Sequence, residues 1–145
     1  MKWDTRFLRL AKEISTWSKD PSTQIGAVIV NDERRILATG YNGFPRGVFD
    51  SKASYEDRDT KYKYVVHAEM NAIYNATYNG ISLKDSTLYV WGLPVCAECA
   101  KGVIQVGVKR VVMPKGNYPE RWRFSFNKTS SMFNETNVEW EFIDV

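Results

Sequence analysis

Two short segments organise this chain: His67-Ala68-Glu69-Met70-Asn71-Ala72-Ile73 and, further on, Pro94-Val95-Cys96-Ala97-Glu98-Cys99. The 145-residue sequence contains one histidine and two cysteines, and all three lie in these segments, spaced as H-x-E and C-x-x-C. Three nitrogen and sulfur ligands suit a catalytic zinc, because structural zinc sites fill all four tetrahedral positions and catalytic sites leave one open. The sequence therefore predicts one zinc ion per chain, held by His67, Cys96 and Cys99.

Glu69 follows the histidine by two residues and is predicted to carry protons beside the metal instead of serving as a fourth ligand. Two other interpretations of the three ligands stay open. One is a purely structural zinc with an acid as the fourth ligand. The other is a C-x-x-C pair in redox use, since in a chain of this size such a pair indicates metal or redox chemistry before it indicates a structural disulfide.

Further segments carry a resemblance to a known family: residues 18–27 (SKDPSTQIGA), 40–47 (GYNGFPRG), 62–69 (YKYVVHAE), 99–101 and 104–105. With the two zinc segments, they make the chain similar to the zinc-dependent cytidine and deoxycytidylate deaminases, and most similar to the deoxycytidylate (dCMP) branch. About thirty residues at the end fall outside the resemblance. The resemblance implies a three-layer α/β/α sandwich with a five-stranded mixed sheet.

The resemblance also implies an activity and roles for residues near the zinc. The expected reaction is hydrolytic deamination of dCMP to dUMP and ammonia, which supplies thymidylate synthesis. Glu69 is expected to move every proton of the reaction. The backbone N–H of Ala68 is expected to hold the pyrimidine O2, and Asn42 is expected to reach the sugar of the nucleotide.

Phosphate and effector contacts follow from the same resemblance. Candidates for the substrate phosphate are Lys19, Ser22 and Tyr118, each of which could equally be a plain surface residue. Relatives of this branch are commonly homohexamers regulated by dCTP and dTTP, with Mg²⁺ accompanying the effector. Such an effector would bind at Gly43, Phe44 and Arg46, in a segment whose other interpretation is an ordinary glycine-rich turn.

One departure from the family pattern lies directly before the first cysteine. The family usually places proline there, whereas here Val95 separates Pro94 from Cys96. We expect a loop that is one residue longer. Because carbonyl groups of this loop normally meet the departing amine, the departure concerns substrate contacts and leaves the metal ligands unchanged.

Composition bounds the remaining possibilities. The length suits a single domain, residues 1–145, large enough for one core. There is no apolar run long enough to span a bilayer and no signal-peptide core, so a cytoplasmic protein is expected. The net charge of +3 and pI near 8.8 fit an anionic small substrate. Acidic and basic residues are interspersed, without the basic stripe of a dedicated nucleic-acid-binding protein.

Periodicity predicts alternating strands and helices, hence a sheet covered on both faces. We expect helices over residues 4–17 with Asp4 as N-cap, 67–78 with His67 in the first turn, and 96–106. Strands are expected over residues 27–30 and 36–41 as a hairpin, 64–66, 87–91 and 110–113. Residues 50–63 are predicted as a surface loop or short helical excursion, with a gating role as the alternative. Residues 118–122 should form a loop, 128–135 a last helix and 138–143 an edge strand.

Other functions remain open on the sequence alone. Within the same fold, the substrate could be a free nucleoside, a riboflavin-pathway intermediate or an adenosine in RNA. Salt-sensitive RNA binding would favour the last of these. A different class would be a non-catalytic zinc or nucleotide-binding module, which would have no use for Glu69.

Overall fold

The computed structural model describes residues 2–145 and has the predicted α/β architecture. A five-stranded mixed sheet runs in the order β2-β1-β3-β4-β5. Strand β1 pairs antiparallel with β2 and β3, whereas β3, β4 and β5 are parallel. The elements are α1 Lys2–Ser15, β1 Gly26–Val30, β2 Ile36–Tyr41, α2 Lys52–Glu56, α3 Arg58–Tyr64, α4 Ala68–Tyr78, β3 Thr87–Trp91, α5 Ala97–Gln105, β4 Arg110–Pro114, α6 Glu120–Glu135 and β5 Glu139–Ile143.

The side chains of strand β1 alternate between two apolar cores on opposite faces of the sheet. Val28 and Val30 pack with helix α1, whereas Ala27 and Ile29 belong to the larger core beneath α4, α5 and α6. All five residues of β1 are buried, as expected for a strand covered on both sides. The three-layer prediction is therefore confirmed. No helix within residues 2–145 is both long and apolar enough to cross a membrane.

Asp4 does not cap helix α1, contrary to the prediction. The helix already includes residue 4, and the Asp4 side chain is buried beneath it. The Tyr89 hydroxyl donates to its carboxylate at 2.6 Å, and Arg110 donates to both carboxylate oxygens at 2.9 and 2.7 Å. An acidic residue near a helix start suits a cap, but here long-range partners on β3 and β4 determine its position.

Replacing Asp4 by asparagine should destabilise the protein by about 1–3 kcal/mol at neutral pH, because Arg110, which also pairs with Glu141, loses the carboxylate that accepts two of its hydrogen bonds. The hydrogen bonds from Arg110 hold the pKa of Asp4 below its ordinary value, and the Tyr89 hydroxyl adds to this against the opposing effect of burial. The stabilisation that Asp4 provides is therefore fully present above about pH 3.9, the pKa of an aspartate in the unfolded chain. It is lost as the pH falls through the lower pKa that Asp4 has in the folded protein.

Urea unfolding of both proteins between about pH 6 and pH 3 checks this, since the stability difference should shrink on acidification. A difference that stays constant over that range would show that the Asp4 charge is not responsible.

Several other boundaries differ from the sequence prediction. The first helix ends at Ser15, which leaves Trp17 outside it and 55% exposed. The segment 50–63, predicted as a surface loop or short helical excursion, is helical: it holds α2 and all of α3 except Tyr64, and Tyr55 of α2 is buried. Of the predicted strand 64–66, only Val66 pairs, in an isolated bridge with Gly43.

Helix α6 is much longer than predicted. It begins at Glu120, within the segment predicted as a loop, and continues to Glu135. Phe126, Thr129 and Phe133 are buried at helical spacing and hold it against the larger core. The edge strand is confirmed, because β5 ends the sheet beside β4.

Strand β2 fixes the position of helix α4, whose N-terminus carries the first zinc segment. A methyl group at Gly40 would lie closer than 3.0 Å to backbone atoms of Ala68, Asn71 and Ala72, so the helix rests directly on the strand. The side chains of Asn71 and Asn75 donate to the carbonyl oxygens of Tyr41 and Thr39, both at 2.8 Å.

Replacing Gly40 by alanine should therefore lift helix α4 and cost at least about 2 kcal/mol of stability through overpacking. Because the same helix positions His67, zinc affinity should fall as well. Gly116→Ala is the matched control, since its added methyl would meet only Tyr118 at 3.5 Å or more. Denaturant unfolding and zinc content measured on both variants test the prediction, and a Gly40→Ala protein as stable as the control would contradict it.

Candidate active site

Two helix N-termini meet at the predicted zinc ligands. His67 is the residue immediately before helix α4, one position earlier than predicted, and Cys96 occupies the same position before α5. Cys99 lies in the first turn of α5, where its N–H donates to the Cys96 sulfur at 3.4 Å. The partial positive charge of helix N-termini favours thiolates, which are the form of cysteine that binds metal.

The spacing of the three ligand atoms fits a tetrahedral zinc. His67 Nδ1 lies 3.3 Å from Cys99 Sγ and 3.5 Å from Cys96 Sγ, and all three ligand atoms lie within 4.8 Å of one another. Zinc bonds of about 2.3 Å to sulfur and about 2.0–2.1 Å to nitrogen would separate such ligands by roughly 3.5 Å. The donor set therefore fits one zinc ion, with a fourth coordination position left for another ligand.

The two cysteines differ in their protonation. Hydrogen bonds from the Cys99 thiol and then from His67 lower the pKa of Cys96 to about 4, although burial opposes them. The pKa of Cys99 is raised, because its thiol donates to Cys96 and because it is buried. These opposite shifts favour one thiolate and one thiol in the metal-free site, and metal binding would release the remaining thiol proton.

Glu69 lies on the inner face of helix α4 beside these ligands. Only 4% of the residue is exposed. Burial raises the pKa of its carboxyl group to about 7, while the neighbouring His67 opposes the shift and the Cys96 thiolate adds to it. A carboxyl group with a pKa near neutrality can both accept and donate a proton at the working pH, as general acid–base catalysis requires.

A cavity of about 440 Å³ is lined by Glu69 and by two of the three ligands, His67 and Cys96. This volume is within the range typical of small-molecule sites. Glu69, Ile25 and Asn42 form a buried part of its wall, whereas Arg58 and Arg121 are exposed. The remaining lining residues are Asp20, Pro21, Ser22, Thr23, Tyr55, Glu56, Lys61, Tyr62, Val65, His67, Leu93, Pro94, Cys96 and Trp122.

The residues predicted to contact the base and sugar lie close to this cavity. The Asn42 side chain accepts from Ile25 N–H and donates to Thr23 O, both at 2.9 Å, which leaves its second amide hydrogen for a ligand. Ala68 is the first residue of helix α4, and the side chain of the N-cap residue His67 accepts no hydrogen bond from that helix.

The residues predicted for the phosphate are dispersed. Ser22 lines the cavity, but its hydroxyl donates to Asp20 at 3.0 Å and accepts from Lys61 at 3.2 Å. Lys19 lies outside the cavity lining, exposed and paired with Asp50 at 3.2 Å. Tyr118 also lies outside it, and its hydroxyl donates to the carbonyl of Pro114.

Val95, which separates Pro94 from Cys96, is buried. It is 1% exposed in the larger core, and its carbonyl accepts from the Thr129 hydroxyl at 2.9 Å. Leu93 and Pro94 line the cavity. Val95 therefore anchors the loop to helix α6.

A second cavity, of about 330 Å³, contains the residues predicted for an effector. Gly43, Phe44 and Arg46 line it together with Tyr41, Pro45, Val66, Asn71, Tyr74 and Asn75. Arg46 donates to Asn75 at 2.5 Å. The two cavities are separated by two aromatic rings in contact. Phe44 lines the second cavity and Tyr55 lines the first, and the centres of their rings lie 4.6 Å apart.

Sequence reasoning missed the cavity residues supplied by α3 and α6. Arg58, Lys61 and Tyr62 belong to the charged segment that was expected to be mainly a solvated surface, and Arg121 and Trp122 belong to the expected loop. The available signal was composition, because both segments combine arginine or lysine with aromatic residues. Their convergence on one cavity depends on tertiary structure.

Comparison with known proteins gives a family match and similar relatives. Residues 1–115 match the family described as the cytidine and deoxycytidylate deaminase zinc-binding region. An uncharacterised deaminase of the luxG 3′ region of Aliivibrio fischeri is 38% identical, with 99% of this chain and 97% of that protein covered. The deoxycytidylate deaminase of Homo sapiens is 42% identical, with 81% of this chain and 67% of that protein covered.

Solved structures show the same fold. The dCMP deaminase of cyanophage S-TIM5, in complex with dCMP and dUMP, superposes with a TM-score of 0.78 at 24% identity. The superposition covers 97% of this chain and 96% of the phage protein.

Proposed function

Because this chain belongs to the cytidine and deoxycytidylate deaminase family, which shares a zinc-binding region, we propose that it converts dCMP and water into dUMP and ammonia. The observation that carries the proposal is the placement of buried Glu69 beside the His67, Cys96 and Cys99 cluster on one cavity. The choice of dCMP rests on relatives named deoxycytidylate deaminase, among them the human and mouse proteins at 42% identity.

Zinc, when bound by His67, Cys96 and Cys99, supplies a water activated at neutral pH, because coordination lowers the pKa of water to about 7. Glu69 accepts the proton released as this water adds to C4 of cytosine, and delivers it to ring N3. Glu69 would then take the proton of the hydroxyl group now on C4 and pass it to the amino group, so that the C4–N bond breaks, ammonia leaves and the ring becomes uracil. One carboxylate thus serves all the proton transfers, and its burial keeps bulk water from competing.

Two groups orient the substrate in this proposal. The Ala68 N–H, at the uncapped start of helix α4, holds the pyrimidine O2. The free amide hydrogen of Asn42 donates to the sugar, while the other hydrogen bonds of this side chain fix its orientation. The loop at Leu93 and Pro94 closes the cavity beside the amino group that departs.

Regulation by a nucleotide at the second cavity is part of the proposal. Support comes from the position of Gly43, Phe44 and Arg46 around that cavity and from the contact of Phe44 with Tyr55. An effector such as dCTP or dTTP, with Mg²⁺, would contact Phe44, whose partner Tyr55 lines the substrate cavity. The effector and the substrate would then each change the binding affinity of the other by the same factor.

Association into a homo-oligomer, a hexamer by family resemblance, is also proposed. Support comes from exposed aromatic residues beside the second cavity, since Tyr74 is 52% and Tyr78 is 80% exposed. Exposed apolar surface of this kind marks interaction sites. We place the single domain and its activity in the cytoplasm.

The proposed function is tested by offering zinc-loaded protein dCMP, CMP, deoxycytidine and cytidine side by side, with and without dCTP. We expect dCMP to be converted to dUMP with the highest kcat/KM. Faster turnover with dCTP would support the effector proposal. Conversion of cytidine but not of dCMP would overturn the substrate assignment and favour a nucleoside deaminase.

A further inference from the structure

Three cationic side chains line the substrate cavity: Arg58 and Lys61 from helix α3, and Arg121 from helix α6. Lys61 is committed to its neighbours, because its ammonium group pairs with Asp20 at 2.7 Å and donates to the Ser22 hydroxyl at 3.2 Å. Only 12% of its side chain is exposed. Lys61 therefore holds the segment around Asp20 in place and has little remaining capacity for a ligand.

The two arginines have no acidic partner. The Arg58 guanidinium donates to the uncharged Tyr62 hydroxyl at 3.0 Å, and the Arg121 guanidinium lies 5.2 Å from the centre of the Trp122 ring. Within residues 2–145, no carboxylate lies within 4.0 Å of either guanidinium. Two cations on one cavity wall, neither of them in an ion pair with the carboxylates of that wall, are a suitable binding site for an anion.

Tyr62 shows that these charges converge. Its pKa is lowered, first by the hydrogen bond from Arg58 and further by the positive charges of Arg121 and Lys61, although burial opposes the shift. Arg58 and Arg121 come from helices far apart in sequence, yet both act on this one hydroxyl. They lie at the exposed part of the cavity wall, whereas Glu69 lies at the buried part.

We propose that Arg58 and Arg121 bind the phosphate of the nucleotide and that this pair, together with Tyr62, makes the site select nucleoside monophosphates over nucleosides. The inference rests on the proposed function for the identity of the base. Guanidinium groups match phosphate geometry with paired, charge-assisted hydrogen bonds. Two arginines also balance the two negative charges of a phosphate monoester. We call Arg58 and Arg121 the arginine clamp. The clamp takes the role that Lys19, Ser22 and Tyr118 were expected to fill.

Arg121→Gln and Arg58→Gln test the clamp through the kinetics of dCMP. We expect each variant to lower kcat/KM for dCMP about tenfold, mainly through KM, and the double variant to lower it about a hundredfold. The preference for dCMP over deoxycytidine should fall by the same factors. The matched control is Arg123→Gln, which removes an exposed arginine of the same helix outside the cavity lining and should keep the wild-type preference.

Binding measurements on zinc-loaded Glu69→Gln protein separate the clamp from the reaction. Here dUMP should bind more tightly than deoxyuridine, inorganic phosphate should compete with dUMP, and both effects should disappear when Arg58 and Arg121 are also replaced. If dCMP is deaminated but the double variant keeps its preference, the clamp is overturned and the proposed function stands. If dCMP is not deaminated but binding of the monophosphate depends on the arginines, the clamp stands and the proposed function fails.

Discussion

Replacing Glu69 by glutamine is expected to leave zinc bound and to lower kcat for dCMP by about 10³–10⁴-fold, the upper part of the range for general acid–base catalysis. The expected loss is large because, in the proposed mechanism, this one side chain performs every proton transfer. Glutamine has nearly the same shape and cannot shuttle a proton. Steady-state kinetics and metal analysis on the same preparation measure both effects.

The stability of this variant provides a second readout. In the metal-free protein, burial raises the pKa of Glu69 to about 7, so above neutral pH its ionised form is unfavourable in the folded state. With the metal removed from both proteins, the variant should therefore unfold at no lower urea concentration than the wild type, as is common for residues kept for function at the expense of stability. The control is Glu98→Gln, since the Glu98 side chain is 81% exposed and pairs with Lys101. Unchanged turnover in Glu69→Gln would refute the mechanism.

Replacing Cys99 by alanine should abolish stoichiometric zinc binding and turnover together. Two remaining ligands, His67 and Cys96, cannot hold the metal against dialysis, and without it no activated water is available. The protein should nevertheless remain folded, because the cores on the two faces of the sheet are largely formed by other residues. Metal analysis and circular dichroism test these two expectations.

Wild-type protein treated with a chelator is the matched comparison for this variant. Loss of bound zinc removes stabilisation equal to RT ln(1 + [Zn]/Kd), which is about 4 kcal/mol at a thousandfold excess over Kd. Chelation should therefore lower the unfolding midpoint of the wild type and leave that of Cys99→Ala unchanged. A Cys99→Ala protein that retains one zinc per chain would show that the metal is held elsewhere.

The zinc residues and the central strands could be predicted because their signals are local. One histidine and two cysteines leave a single choice of soft ligands, and a continuous apolar run such as Gly26–Val30 predicts a strand covered on both faces. The positions of His67 and Cys96 at helix starts also follow from local periodicity. The three ligand atoms were therefore expected to meet, and the structure brings them within 4.8 Å of one another.

The wrong predictions involve partners distant in sequence. Asp4 was expected to cap a helix, but Tyr89 and Arg110 bind its carboxylate from strands 85 and 106 residues away. Helix α6 was expected to be short, with residues 118–122 as a loop, but its mostly exposed first turns continue into a segment that Phe126, Thr129 and Phe133 anchor in the core. The arginines of the cavity wall escaped notice for the same reason, since α3 and α6 come together only in the folded chain.

The most direct test of the central claim is reconstitution of the metal-free protein with graded amounts of zinc, while dUMP and ammonia are measured as products of dCMP. We expect both products to form in equal amounts and the rate to rise linearly with bound zinc until one ion per chain is reached. Protein that holds one zinc per chain at His67, Cys96 and Cys99 yet releases no ammonia from dCMP would contradict the central claim.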